Sequence, residues 1–127
     1  MANKKKFTVE KMFKSSPAIL YNFLSTPSGL VQWFADHVDL NGDIYSFFWN
    51  GVEEKAKTLL HYDNELLRIK MLEDDFPQGY IEYRIGKSEI TGDTILYITD
   101  FAEENEIKDA IDLWESQLDD LAKCMGA

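Results

Sequence analysis

The sequence predicts an α+β domain in which a curved antiparallel sheet of about six or seven strands wraps a long C-terminal helix, with two short helices after the first strand. Three observations carry this prediction. Ile107, Ala110, Ile111, Trp114, Leu118, Leu121, Ala122 and Met125 recur at spacings of three and four, with acids over most of the remaining positions. That is the stripe of a helix that lays one side on another surface. Most of the chain before it alternates with a period of two, as strands with one buried face do. Turn signals separate these alternating runs, so neighbouring strands join as hairpins and the sheet is antiparallel. The helix, roughly 30 Å long at about 1.5 Å per residue, can cross a small sheet from edge to edge; the curvature is inferred from this single covering helix, and periodicity alone also fits a flatter arrangement.

The elements follow in order. Residues 5–14 form the first strand, with Phe7, Val9 and Phe13 on one side and Thr8, Glu10 and Lys14 on the other. At Ser16-Pro17 the period changes: serine caps a helix and proline takes the first helical position, where its missing N–H is no loss. Ile19, Leu20, Phe23 and Leu24 give that helix its apolar side. Thr26-Pro27 repeats the start signal for a second short helix carrying Leu30, Val31, Trp33 and Phe34. His37 to Leu40 is a short strand, and Asn41-Gly42-Asp43 turns it into Ile44–Trp49, where Tyr45, Phe47 and Trp49 share a face. Asn50-Gly51 marks the next hairpin. Glu53–Tyr62 places Ala56, Thr58, Leu60 and Tyr62 on one side. After Asp63-Asn64, Leu67, Ile69 and Met71 alternate with Arg68 and Lys70. Residues 73–79 read as a loop, residues 80–90 as a strand with Ile81, Tyr83 and Ile85 on one face, and residues 94–101 as the last strand after Thr91-Gly92-Asp93. Asn105 or a neighbour caps the long helix.

Length and composition narrow the function classes. The 127 residues suit one domain spanning 1–127, with residues 1–5 as a flexible basic tail. Hydrophobic residues make up 45% and aromatic ones 13%, a ring-rich globular composition. No run approaches the ~18 apolar residues of a membrane span. The basic start leads into Phe7-Thr8-Val9-Glu10 instead of an apolar signal core, and Cys124 is the one cysteine, so the expected location is cytoplasmic. The net charge is −10, and from Ser15 onward 8 basic residues face 22 acidic ones. Such a field repels phosphate backbones, which excludes nucleic acid as a partner for the body of the domain.

Two stretches carry a family resemblance. Ser16-Pro17-Ala18-Ile19-Leu20-Tyr21-Asn22-Phe23-Leu24-Ser25-Thr26-Pro27-Ser28-Gly29-Leu30-Val31-Gln32-Trp33-Phe34-Ala35-Asp36 and the following Gly42-Asp43-Ile44-Tyr45-Ser46-Phe47-Phe48-Trp49-Asn50-Gly51 resemble START-like, or helix-grip, domains. This superfamily, also labelled SRPBCC, includes birch-pollen-allergen-like proteins, and the pattern here is most like the heat-shock chaperone ATPase activator type. The resemblance implies the helix-grip fold and a cavity between sheet and terminal helix. Its lining would come from Trp33, Phe34, Tyr45, Phe47, Trp49, Leu67, Ile69, Tyr83, Tyr97, Trp114 and Leu118. The same rings would alternatively fill the core. These motifs specify a fold and leave function open, because one fold hosts many activities.

Residues with catalytic or ligating chemistry are sparse. Two histidines, His37 and His61, and one cysteine lack the spacing of a metal site, and no glycine-rich phosphate loop is present, so no metal or cofactor is expected. Ser15 and Ser16 are explained by capping. The leading reading is a small intracellular module that binds an apolar or amphipathic molecule, such as a lipid, with Tyr45, Tyr83 and Trp49 orienting its polar end. The alternative is a protein-interaction or co-chaperone-like adaptor with a filled core and an acidic surface. A third reading, a cyclase or hydrolase, would have only His37 and His61 as candidate residues. Oligomeric state is not legible.

Overall fold

In the computed structural model, which describes residues 3–126, the strands are β1 (Lys4–Phe13), β2 (His37–Asn41), β3 (Ile44–Trp49), β4 (Val52–Tyr62), β5 (Leu66–Met71), β6 (Ile81–Lys87) and β7 (Thr94–Glu103). The helices are α1 (Pro17–Ser25), α2 (Pro27–Leu30) and α3 (Ile107–Met125), the last entered through a 3-10 turn at Glu104–Glu106. All seven strands form one curved antiparallel sheet in the order β1-β7-β6-β5-β4-β3-β2. β1 runs along one edge and β2 along the other, so α1 and α2 must carry the chain across the end of the sheet. β1 begins at Lys4 and pairs residue for residue with β7, from Lys4 opposite Glu103 to Phe13 opposite Thr94. Lys4 and Lys5 therefore belong to a paired strand instead of a tail, and Met1 and Ala2 of the expected tail lie outside the described residues.

Hairpin chemistry sets the meander. Asn50 and Gly51 both take positive φ, 51° and 80°, the combination a type I′ turn requires and asparagine and glycine tolerate best. β4 departs from the sequence reading. Thr58 pairs with Ile69 but Leu60 pairs with Arg68, so one extra residue is accommodated between them as a bulge. The bulge reverses the alternation: Leu60 and Tyr62, expected beside Ala56 and Thr58, are exposed.

One threonine joins the short helices. Ser16 Oγ accepts from the Ile19 N–H at 3.2 Å and starts α1, whose buried side is Leu20, Tyr21 and Leu24 while Ile19 is exposed. The Thr26 N–H then donates to the Asn22 carbonyl, and Thr26 Oγ1 donates to the same carbonyl at 2.7 Å while accepting from the Gly29 N–H at 3.0 Å. Thr26 thus ends α1 and caps α2. α2 is only four residues long, so Trp33 and Phe34 stand in the turn after it and not on a continuing helix.

The core lies between the concave sheet face and α3. Phe13, Phe47, Ile69, Leu96, Ile98, Leu118 and Leu121 are almost fully enclosed, each such side chain contributing about 1.5–3 kcal/mol. The predicted stripe of α3 is the buried one: Trp114, Leu118 and Leu121 are enclosed, and Ile107, Ala110, Ile111, Ala122 and Met125 pack around them. Asn105 is part of the 3-10 turn, and Glu106 precedes α3 without a side-chain capping bond. Gly126 closes α3 at φ 72°, with its N–H on the Lys123 carbonyl at 3.2 Å.

The α1–α2 junction yields a test. A Cβ at Gly29 would stand 2.5 Å from both the Asn22 carbonyl oxygen and Phe23 Cα, backbone atoms that cannot swing away. Gly29→Ala is expected to cost about 2–3 kcal/mol of stability in urea unfolding. A loss below roughly 0.5 kcal/mol, the usual range of a surface change, would show that the junction is loose.

Candidate functional site

α3 does not cover the concave face evenly. It packs mainly on β1 and β7, and α1 lies against β5 and β6. The inward faces of β4 and β5 and the near ends of β6 and β7 are left to a bridge of rings. Phe34 meets Phe47 edge-on at 5.1 Å, Trp49 edge-on at 5.4 Å, and Trp114 of α3 in a stack at 6.2 Å and 14°. Tyr83 meets the other side of this group, edge-on to Trp114 at 6.1 Å. Tyr45 stacks on Phe47 at 5.6 Å. The centre of the sheet is therefore packed with rings, and the remaining space lies on the flank of α3.

There an open cleft of about 340 Å³ is lined by Phe34, Trp49, Glu54, Met71, Ile81, Asp100, Leu113, Trp114 and Gln117. It shares Glu54, Met71, Ile81 and Asp100 with an adjoining recess of about 410 Å³ that reaches Lys4, Asp74 and Tyr80. Phe34 and Trp49 also wall an open groove of about 540 Å³ between residues 31–36 and the end of α3. A smaller recess of about 240 Å³, lined by Tyr21, Tyr45, Asp43, Asp63 and His61 among others, opens beneath α1.

The polar atoms of the rings separate into two groups. Trp33 Nε1 donates to the Phe23 carbonyl at 2.8 Å, Trp49 Nε1 to the Phe34 carbonyl at 2.8 Å, and the Tyr45 hydroxyl to the Ser25 carbonyl at 2.6 Å. The first ties the α1–α2 segment to itself and the other two fasten it to β3, so the Trp49 N–H and the Tyr45 hydroxyl proton, which the sequence reading assigned to orienting a ligand, are directed at backbone carbonyls. Burial, and then the nearby Tyr21, push the Tyr45 phenol up to about 12. Tyr83 differs: its hydroxyl is the one buried side-chain polar atom among the described residues with no hydrogen-bond partner. Burial, with the charge of Asp100 and then Tyr45 adding to it, keeps this phenol protonated far above the ordinary range.

Asp100 is the second unusual group. Its Oδ2 accepts from Trp114 Nε1 at 3.0 Å and its Oδ1 from the Phe101 N–H at 2.7 Å. Burial raises its carboxyl above the usual range, although these two donors and the charge of Lys4 oppose the rise. Neither Asp100 nor Glu54 forms an ion pair among the described residues.

Of the predicted lining, Phe34, Trp49 and Trp114 border the cleft, while Tyr45 and Leu67 border the recess beneath α1 and Trp33 the groove near the end of α3. Phe47, Ile69, Tyr83 and Leu118 are buried in the packed interior behind them. Tyr97 does not belong to this face. Leu96 and Ile98 point inward, so Tyr97 stands on the convex side, under the Arg84 guanidinium at 5.1 Å and against Gly86. Met71, Ile81, Glu54 and Asp100 were missed. Their signal was the alternation itself, since Glu54 shares the phase of Ala56, and Asp100 that of Leu96 and Ile98. The histidines do not converge: His37 pairs with Asp39 at 3.2 Å on an exposed edge, and His61 borders the recess beneath α1. No group of three or more metal-ligating side chains is assembled among the described residues, and no described helix is long and apolar enough to cross a membrane.

A seven-stranded sheet gripping one long terminal helix, with two short helices across its end and a ring-lined cleft between the layers, defines a helix-grip protein. A family model for the START-like superfamily domain matches residues 1–127, and the chain belongs to that superfamily. A Bacteroides fragilis protein solved in solution is 33% identical, with a TM-score of 0.69 over 96% of this chain and 91% of that one. The Aha1 dimer from Colwellia psychrerythraea shares the fold at 19% identity and a TM-score of 0.77, covering 93% of each chain. A Mesorhizobium loti protein does so at 15% identity and 0.78, covering 96% and 97%. No curated protein matches.

The two groups of phenols predict opposite effects. Tyr83→Phe removes an unpaired buried hydroxyl and is expected to stabilise the fold by about 1 kcal/mol in urea unfolding, whereas Tyr45→Phe leaves the Ser25 carbonyl without its donor and costs about 1 kcal/mol. Equal effects would mean that the two hydroxyls are equivalent. Asp100 predicts a pH effect. Its folded-state affinity for a proton exceeds the unfolded one, so stability is full below the unfolded value, falls as pH rises through the folded value, and is level above it. The melting temperature of Asp100→Asn minus that of the wild type should therefore increase with pH across that interval, and a difference that stays flat would overturn the assignment.

Proposed function

We propose that this protein is a small intracellular binding module that holds an apolar or amphipathic molecule, such as a lipid, between sheet and α3, entered through the flank cleft. The carrying observation is the cleft itself, with ring walls from Phe34, Trp49 and Trp114 and aliphatic side chains from Met71 and Ile81. Concave apolar surface with a few convergent polar groups is the usual form of a small-molecule site. An interior with one cysteine, partly buried Cys124, suits a reducing compartment. The adaptor alternative rests on the acidic charge after Ser15 and on the resemblance of residues 16–51 to chaperone activators, and the Aha1 fold neighbour is compatible with it without favouring it.

Native mass spectrometry of protein purified from its own host is expected to show a bound small molecule released on denaturation. The neutral dye Nile red should bind the same cleft. Met71→Trp, which fills it, should weaken the dye at least about tenfold while leaving the fold intact by circular dichroism, tenfold being the loss of ~1.4 kcal/mol of apolar contact. Protein that carries no small molecule and binds Nile red equally well in both forms would refute the proposal.

A further inference from the structure

We propose that the molecule held in the cleft is a cation, a protonated or quaternary amine on an apolar body, with its charged end between Glu54 and Asp100. The inference rests on the cleft reading above and adds the chemical class of the occupant. Glu54 of β4 and Asp100 of β7 both project from the concave face and both line the cleft and its adjoining recess, with Met71 and Ile81 completing the shared wall. The Glu54 and Asp100 carboxylates lack an ion-pair partner among the described residues, and the nearby lysines are committed elsewhere. Lys4 is on Asp74 at 3.1 Å, and Lys70 donates to the Phe76 and Gly79 carbonyls at 2.8 Å each. The Lys4 charge offsets the burial of Asp100 only in part; a partly buried carboxylate without an ion-pair partner is expensive to keep, and an incoming cation reduces that penalty.

The other walls fit the same ligand. Trp49, Trp114 and Phe34 are aromatic walls of the cleft, and aromatic rings, tryptophan most strongly, attract cations to their faces. The Trp114 indole N–H fixes the Asp100 carboxylate from one side, leaving lone pairs on both oxygens for a further donor. An anionic amphiphile would meet two carboxylates here and a chain of net charge −10 outside.

The test is calorimetric titration with octylammonium, octan-1-ol and octanoate at one ionic strength, on the wild type, Asp100→Asn, Glu54→Gln and Asp112→Asn. Asp112 is an exposed acid of α3 away from the cleft. Octylammonium should bind at least about tenfold more tightly than octan-1-ol, with octanoate weakest, as expected for a desolvated charge pair. Asp100→Asn and Glu54→Gln should each reduce that preference at least about fivefold and leave octan-1-ol within about twofold, whereas Asp112→Asn should leave the preference intact. Octan-1-ol or octanoate binding as well as octylammonium would overturn the charge assignment and leave the cleft reading standing. Equal loss in Asp112→Asn would reduce the preference to the overall field and also overturn it. If none of the three probes binds, both readings fail.

Discussion

Trp114 joins the two layers of this protein through three of its surfaces. One face stacks on Phe34 from the α2 turn, its ring meets the edge of Tyr83 from β6, and its N–H reaches Asp100 on β7. Because α3 rests mainly on β1 and β7, this indole is what spans the remaining distance to the open half of the sheet. The same placement decides where space is left. A smaller residue there would let the helix settle or open the centre, and an indole fills the centre and leaves a cleft beside it.

The polar atoms follow a division of labour that composition alone does not reveal. Indole and phenol donors on Trp33, Trp49 and Tyr45 are spent on carbonyls of the α1–α2 segment: Trp33 ties the segment to itself, and Trp49 and Tyr45 hold it against β3. Each such bond contributes modestly, about 0.5–1.5 kcal/mol, but together they position Phe34, whose ring then sets the limit of the cleft. Tyr83 and Asp100 are left as the groups whose environment is incomplete. The two roles meet in Trp49, whose N–H holds the segment while its ring walls the cleft.

Much of this was legible in the chain, and the reasons are local. The α3 stripe, the caps at Ser16 and Thr26 and the Asn50-Gly51 turn each depend on residues within a few positions of one another, and the structure contains all of them. What escaped depends on register. The bulge between Thr58 and Leu60 is a property of two paired strands, and it turned Leu60 and Tyr62 outward against the simple alternation. Tyr97 was assigned by its ring and not by its phase, which belongs to the convex face. Glu54 and Asp100 escaped for the opposite reason. A carboxylate in a strand reads as solvent-facing, and only the inward phase of its neighbours says otherwise.

The pairing of β1 with β7 has a further consequence for how the protein is made. The hydroxyls of Thr8 and Thr99 sit 3.5 Å apart across that ladder, yet 91 positions separate them along the chain. Contacts of such long range are slow to form, because loop closure precedes their reward. During synthesis Phe7, Val9 and Phe13 emerge long before Thr94–Glu103, the strand they pair with. The apolar side of β1 is therefore the segment that needs shielding until β7 has been made.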